Sequence, residues 1–226
     1  MKIPLTKYGM PQVAYYPSLT ALLMLLVLCL HGALPTWLIV ILELVLGAVL
    51  AWLLSFFRDP QRIIISDPKV LLSPADGTIA DIEIVDESSF IGGKALRIGI
   101  FLSVFNVHIN RAPCTVRIEK ITYKKGEFKD ARDPNAGKVN EANDVAMTRL
   151  REPNDKLLVR QISGAIARRI VCEIQPGDEL AAGRQFGMIK FGSRTELYLP
   201  ADGKYRCMVN IGDTVKAGLN ILVRYE

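Results

Sequence analysis

At 226 residues the chain has room for one domain of ordinary size plus an appendage. Half of its residues are hydrophobic and its mean hydropathy is +0.24, high for a wholly soluble protein. The net charge of +5 suits a partner of opposite sign. Because the apolar excess lies in the first quarter of the chain, the expected partner is a lipid membrane and not nucleic acid. Two histidines and four scattered cysteines (Cys29, Cys114, Cys172 and Cys207), with no C-x-x-C pair, leave no zinc cluster, so no metal is expected. The cysteines read as unpaired, mostly buried thiols of a reducing compartment.

Two apolar runs open the chain, Tyr16–Leu34 and Thr36–Phe57. A helix that crosses a bilayer needs about 20 apolar residues; the second run reaches that length and the first is marginal. Gly32 and Pro35 supply a break between them without a charge. Lys2 and Lys7 precede the first run, and Arg58, Arg62 and Lys69 follow the second, which places both flanks on the cytoplasmic side. The expectation is a hydrophobic helical hairpin over residues 1–58, embedded in the cell membrane, with residues 59–226 as a domain on the cytoplasmic face. A signal sequence explains only the first run. A shallow re-entrant hairpin stays open beside a full double span. Glu43 lies within the second run, where a carboxylate is costly unless it is protonated or paired with a neighbouring chain.

Beyond FFRDP (56–60) the segments become short, β-branched and punctuated by Gly, Pro, Asp and Asn. RIIIS (62–66), GTIADIEIV (77–85), ALRIGIFLSV (95–104), CTVRIEKITYK (114–124), KLLVRQI (156–162), RRIVCEI (168–174), GMIKF (187–191), TELYLP (195–200), KYRCMV (204–209) and NILVRY (220–225) read as strands. Helical periodicity is weak, with a short helix expected near Ala142–Leu150 or Gly164–Arg169. The polar stretch Lys124–Lys156 reads as a long solvated loop or a flap beside the site. Two segments resemble each other, SPADGTIADIEIVD (73–86) and LPADGKYRCMVNIGDTVKAG (199–218). The second ends in the Gly212–Gly218 turn pattern found in barrel-sandwich modules. The predicted fold class is therefore a mainly β (α+β) domain with barrel-sandwich-like half repeats, preceded by the helical hairpin.

Three residues can carry chemistry. His108 is the only histidine outside the apolar hairpin, and its alternation with Asn106 and Asn110 places it on the more polar face of a strand-like run. Ser193 follows Gly192 at the end of a strand. In isolation a Gly-Ser pair is a turn. Yet glycine leaves its carbonyl open to close approach, and a serine hydroxyl can attack that carbonyl if a base activates it and donors stabilise the oxyanion. Asp76, in SPADG, is either a turn residue or the carboxylate that orients such an imidazole.

FFRDP, SPADG, FLSVFNVHINRAP (101–113), QISGAIARRIV (161–171) and GMIKFGSRTELYLP (187–200) resemble, in order and spacing, the short form of the phosphatidylserine decarboxylase proenzymes. The resemblance implies autocatalytic serinolysis at Gly192-Ser193, giving a β chain of residues 1–192 and an α chain of residues 193–226. It makes Asp76, His108 and Ser193 a self-processing triad. It also implies a pyruvoyl cofactor derived from Ser193, which forms a Schiff base with the amine of phosphatidylserine, and phosphatidylethanolamine as product. A homodimer is implied as well. The basic residues next to the hairpin, Arg58 and Arg62, are expected to attract the anionic lipid or to signal topology. Two features depart from longer members of the family. Phe191-Gly192-Ser193-Arg194 stands where many carry Leu-Gly-Ser-Thr or Gly-Gly-Ser-Ser, and Phe105 stands where they have a second histidine. Two other functions fit parts of the pattern: a non-catalytic membrane-anchored barrel-sandwich adaptor, and a pyruvoyl decarboxylase of a soluble amino acid.

Overall fold

Long runs rich in Leu, Val and Ala have one way to satisfy their backbone groups internally, and they take it. The computed structural model describes residues 4–65, 67–133, 136–165, 169–190 and 193–226. In it the apolar runs form α1 (Gln12–Cys29) and α2 (Thr36–Phe56). At about 1.5 Å per residue these are about 27 and 31 Å long, the thickness of a hydrocarbon core. Most of their Leu, Val and Ile side chains are exposed, including Leu22, Leu25, Leu44 and Val45. Pro35 ends the connection and leads into α2. Arg58 caps the far end of α2, its Nη1 donating to Ser55 O at 2.6 Å and to Ser55 Oγ at 2.8 Å. The hairpin closes on itself where Thr6 N–H donates to Phe57 O (2.9 Å) and Asp59 N–H to Pro4 O (2.7 Å).

The chain divides between Gln61 and Arg62 into two compact units, and the second is built of strands. In chain order these are β1 (Val70–Leu72), β2 (Gly77–Glu87), β3 (Gly93–Leu102), β4 (Ile109–Arg111), β5 (Val116–Lys124), a one-turn helix α3 (Ala136–Val139), β6 (Ala142–Arg149), β7 (Lys156–Ser163), β8 (Arg169–Cys172), β9 (Glu179–Leu180), β10 (Gln185–Lys190), β11 (Ser193–Pro200), β12 (Tyr205–Cys207), β13 (Thr214–Val215) and β14 (Ile221–Tyr225). Eight form one sheet in the order β13-β2-β3-β11-β7-β6-β5-β9, and two three-stranded sheets, β4-β10-β8 and β1-β14-β12, complete the unit. The fold is mainly β, as expected.

Period-two alternation decides what each face of the large sheet carries. Leu96, Ile98, Ile100 and Leu102 of β3, Val159 of β7, and Leu197 and Leu199 of β11 point into the core. Each such side chain contributes about 1.5–3 kcal/mol by leaving water. The opposite face carries charge. Arg194 of β11 is fully buried and joined to Asp81 (2.6 Å) and to Glu196 (2.9 Å). A Cβ on Gly99 would lie 2.1 Å from Nη2 of Arg194, so only glycine leaves room for this guanidinium.

Several expectations are corrected. Ala142–Arg149 is a strand, not a helix, because it lies between β5 and β7, where its N–H and C=O groups have ladder partners on both sides. Eight residues of the expected polar loop, 142–149, are thus ordered sheet. The alternative helix, Gly164–Arg169, falls partly on residues 166–168, outside the described residues. RIIIS forms no strand over residues 62–65. The two PADG segments are not equivalent in structure: the first enters the eleven-residue β2, the second precedes the short β12. Instead they meet, since β13 pairs with β2 and Gly218 N–H donates to Ser73 O (2.8 Å). Of the thiols only Cys114 is buried, and burial pushes it up to about 12; Cys172 and Cys207 are half-buried, and Cys29 on α1 is exposed.

Candidate active site

The apolar face of the large sheet turns polar at one end. Alternation sets Ser193 and Thr195 on the same side of β11 as Leu197 and Leu199, and Gln161 and Ser163 on the same side of β7 as Val159. Register brings these together: Ser193 lies opposite Leu102 of β3 on one side and Ser163 of β7 on the other. Ser193 is fully buried, and its Oγ has no hydrogen-bond partner. A buried hydroxyl left unsatisfied costs about 1–3 kcal/mol, so its presence calls for a chemical reason. Gly192, the other half of the expected scissile bond, lies outside the described residues, as does Phe191.

His108 precedes β4 and is fully buried. Its Nδ1 lies 3.0 Å from Asn106 O. A carbonyl oxygen only accepts, so Nδ1 carries the proton of the neutral ring and Nε2 is the basic atom. The carbonyl therefore fixes the tautomer, a task the sequence assigned to Asp76. The backbone of His108 is itself held, since its carbonyl accepts from Ile189 N–H at 3.2 Å.

Asp76 occupies the turn between β1 and β2. Arg62 grips it with two parallel bonds, Nη1 to Oδ1 and Nη2 to Oδ2, both 2.7 Å, and Ala217 N–H donates to Oδ1 at 2.8 Å. The side chains of this pair are 4% and 8% exposed. The expectation that Arg62 attracts lipid from the surface is therefore corrected: its guanidinium is committed to Asp76, and Arg58 is committed to the end of α2. Gly77 locks the turn against the sheet, since a Cβ there would lie 2.1 Å from Phe101 O.

What joins the three segments is a residue the sequence reading noted only as part of a polar alternation. Asn110 of β4 donates through Nδ2 to Thr195 Oγ1 (3.0 Å) and to Pro74 O (3.4 Å), and its Oδ1 accepts from Gln161 Nε2 (2.9 Å). Gln161 Oε1 in turn accepts from Asn143 Nδ2 at 3.0 Å. One buried amide chain thus ties the Asp76 turn, the His108 segment and the Ser193 strand. The bonds described join these three residues through Asn110 and main chain rather than to each other. The only sequence signal was the polar alternation Asn106-His108-Asn110; the partners depend on register. Lys190, at the end of β10, is also buried, and burial first, then the charge of Arg169, holds its ammonium below the usual lysine value.

Beside Ser193 a cavity of about 180 Å³ opens between residues 101–104, 130–132 and 164–165. Its walls continue β3 and β7, the two strands that flank Ser193. Among the described residues no group of three or more His, Cys, Asp or Glu is placed to hold a metal ion.

The buried Arg62–Asp76 pair makes a direct prediction. Arg62→Ala leaves a carboxylate with little solvent and lowers stability by about 3–5 kcal/mol. Thermal melting in detergent micelles checks it, and Arg62→Lys is expected to fall between the two.

Comparisons with known proteins converge on one family. The sequence profile described as phosphatidylserine decarboxylase matches residues 49–223. The phosphatidylserine decarboxylase proenzyme of Carboxydothermus hydrogenoformans is 40% identical over 217 residues, which cover 96% of this chain and 98% of that protein. The proenzyme of the same name from Desulfotalea psychrophila is 46% identical over 172 residues, 76% of this chain and 78% of that one. That of Cupriavidus metallidurans is 40% identical over 191 residues, 84% and 82% of the two chains.

Proposed function

Because this chain belongs to the phosphatidylserine decarboxylase family, we propose that it is made as a proenzyme, cuts itself between Gly192 and Ser193, and converts phosphatidylserine to phosphatidylethanolamine and carbon dioxide. The observation that carries this reading is the hydroxyl of Ser193, buried, unpartnered and fixed at the first position of a strand held from both sides. A structural serine in that place would have a hydrogen bond. A nucleophile that must reach its own preceding carbonyl benefits from having none.

Self-cleavage follows from the residues at hand. His108 Nε2 takes the proton of Ser193 Oγ, which attacks the carbonyl carbon of Gly192. The Gly192–Ser193 C–N bond breaks as the ester forms, and the freed amine gains a proton. A base then removes the α-proton of Ser193, and the Cβ–O bond breaks, releasing residue 192 with a carboxylate. The remaining dehydroalanine tautomerises to an imine, and water replaces its nitrogen with oxygen as ammonia leaves. Residue 193 becomes an amino-terminal pyruvoyl group. Asp76, clamped by Arg62, completes the set by fixing the turn that abuts the His108 segment, where Asn110 donates to Pro74 O.

The fit of residue 193 to this group rests on its environment. β11 runs from it to Pro200 between β3 and β7, so the new end stays in the sheet after the cut. The α chain of 193–226 and the β chain of 1–192 therefore remain associated without a disulfide. Once formed, the pyruvoyl carbonyl supplies an electron sink for the electrons that carbon dioxide leaves behind. His108 holds the proton that returns to the product carbon. The hairpin keeps the enzyme in the cell membrane with its catalytic domain on the cytoplasmic side, and the assembled unit is a homodimer on this reading.

The test is carbon dioxide release from the purified protein. Turnover of phosphatidylserine with none of free serine or aspartate is expected. Turnover of a free amino acid alone would reassign the substrate, and none with any of the three would remove the enzyme.

A further inference from the structure

The turn that orients His108 also carries an aromatic ring into solvent. Ser103 and Asn106 close it twice, by Asn106 N–H to Ser103 O (2.9 Å) and by Ser103 N–H to Asn106 Oδ1 (2.8 Å). Phe105 sits within this turn and is 72% exposed. A single exposed apolar side chain is ordinary on a protein surface. This one is not placed ordinarily: it follows Ser103 and Val104, which wall the cavity beside Ser193. On another wall stands Arg132, also exposed, with Nε and Nη2 engaged by Asp130 at 3.1 and 2.6 Å.

We infer that the catalytic domain docks on the lipid surface through Phe105, which enters the acyl-chain boundary beside the cavity while Arg132 meets the head-group phosphate. This rests on the substrate proposed above being a diacyl phospholipid. Such a lipid keeps its head group at the interface, so the cavity has to be brought to the plane of the bilayer. An aromatic ring that adjoins one wall of the cavity and an arginine on another suit that boundary, the ring entering the apolar side and the guanidinium facing the phosphates. The closed turn gives the ring a fixed position, and through Asn106 O the same turn holds the His108 ring. Docking and alignment of the base thus share one short segment.

The test uses the full, self-processed chain in phosphatidylcholine vesicles with two forms of substrate. One is long-chain phosphatidylserine in the same membrane; the other is dihexanoyl phosphatidylserine in the water, below its micelle concentration. Phe105→Ser is expected to raise the apparent KM for the membrane substrate about tenfold, equivalent to about 1.4 kcal/mol. Its kcat/KM on the dissolved substrate should match the parent enzyme. Phe105→Trp should keep full activity on the membrane substrate. Equal losses on both substrates would make Phe105 a wall of the cavity and overturn the inference. So would an unchanged KM for the membrane substrate in Phe105→Ser. A parent enzyme that turned over neither form would instead count against the proposed reaction.

Discussion

Ser193→Ala is expected to run as one uncut chain of 25.1 kDa on a denaturing gel and to release no carbon dioxide from phosphatidylserine. Both losses follow from one side chain, since the Ser193 hydroxyl performs the cut and its departure leaves the carbon skeleton that becomes the cofactor. The variant should fold at least as well as the parent. The parent buries the hydroxyl without a partner, and its removal relieves part of a desolvation cost of about 1–3 kcal/mol. Loss of processing with an equal or higher melting temperature therefore separates chemistry from folding. An alanine variant that still cut itself would place the nucleophile elsewhere.

The second large effect concerns His108. As the general base for Ser193, its imidazole should account for about 10²–10⁴-fold of the self-cleavage rate. His108→Ala is expected to accumulate uncut chain, followed by gel over time. The residue is fully buried, so its removal also leaves a cavity, and a slower cut alone would not distinguish base from packing. Added imidazole makes the distinction: partial recovery of cleavage in the alanine variant is expected. Asn106 contributes only its backbone carbonyl to this bond, so Asn106→Ala should slow cleavage far less.

The sequence reading reached the parts of this fold that local pattern governs. Two apolar runs of helical length became α1 and α2, and long β-branched segments such as 77–85 and 114–124 became β2 and β5. It failed where partners, not pattern, decide. The segment from Ala142 to Arg149 has weak strand periodicity and is a strand because β5 and β7 flank it. Ile63, Ile64 and Ile65 have strand composition but no ladder. β9 and β13, two residues each, are too short to leave a periodic trace.

The candidate site divides the same way. Residue type singled out His108, the lone imidazole of its unit, whereas Ser193 stood out through its place in GMIKFGSRTELYLP, since a Gly-Ser pair in isolation reads as a turn. The task of orienting the imidazole was assigned to a carboxylate, and the structure gives the Nδ1 bond to the carbonyl of Asn106. Arg62 read as a basic flank of the hairpin because nothing local ties it to Asp76, fourteen residues away. The amide chain through Asn143, Gln161 and Asn110 was not legible either. Amides on separate strands become partners only once register sets them opposite one another.

The central claim is that Ser193 becomes the amino-terminal pyruvoyl group of a separate chain, and the intact mass of the purified protein tests it most directly. Two species are expected, residues 1–192 and residues 193–226, the second lighter by one ammonia than the same fragment beginning with serine. A single species at the mass of the full chain, from protein that is folded and active, would contradict it.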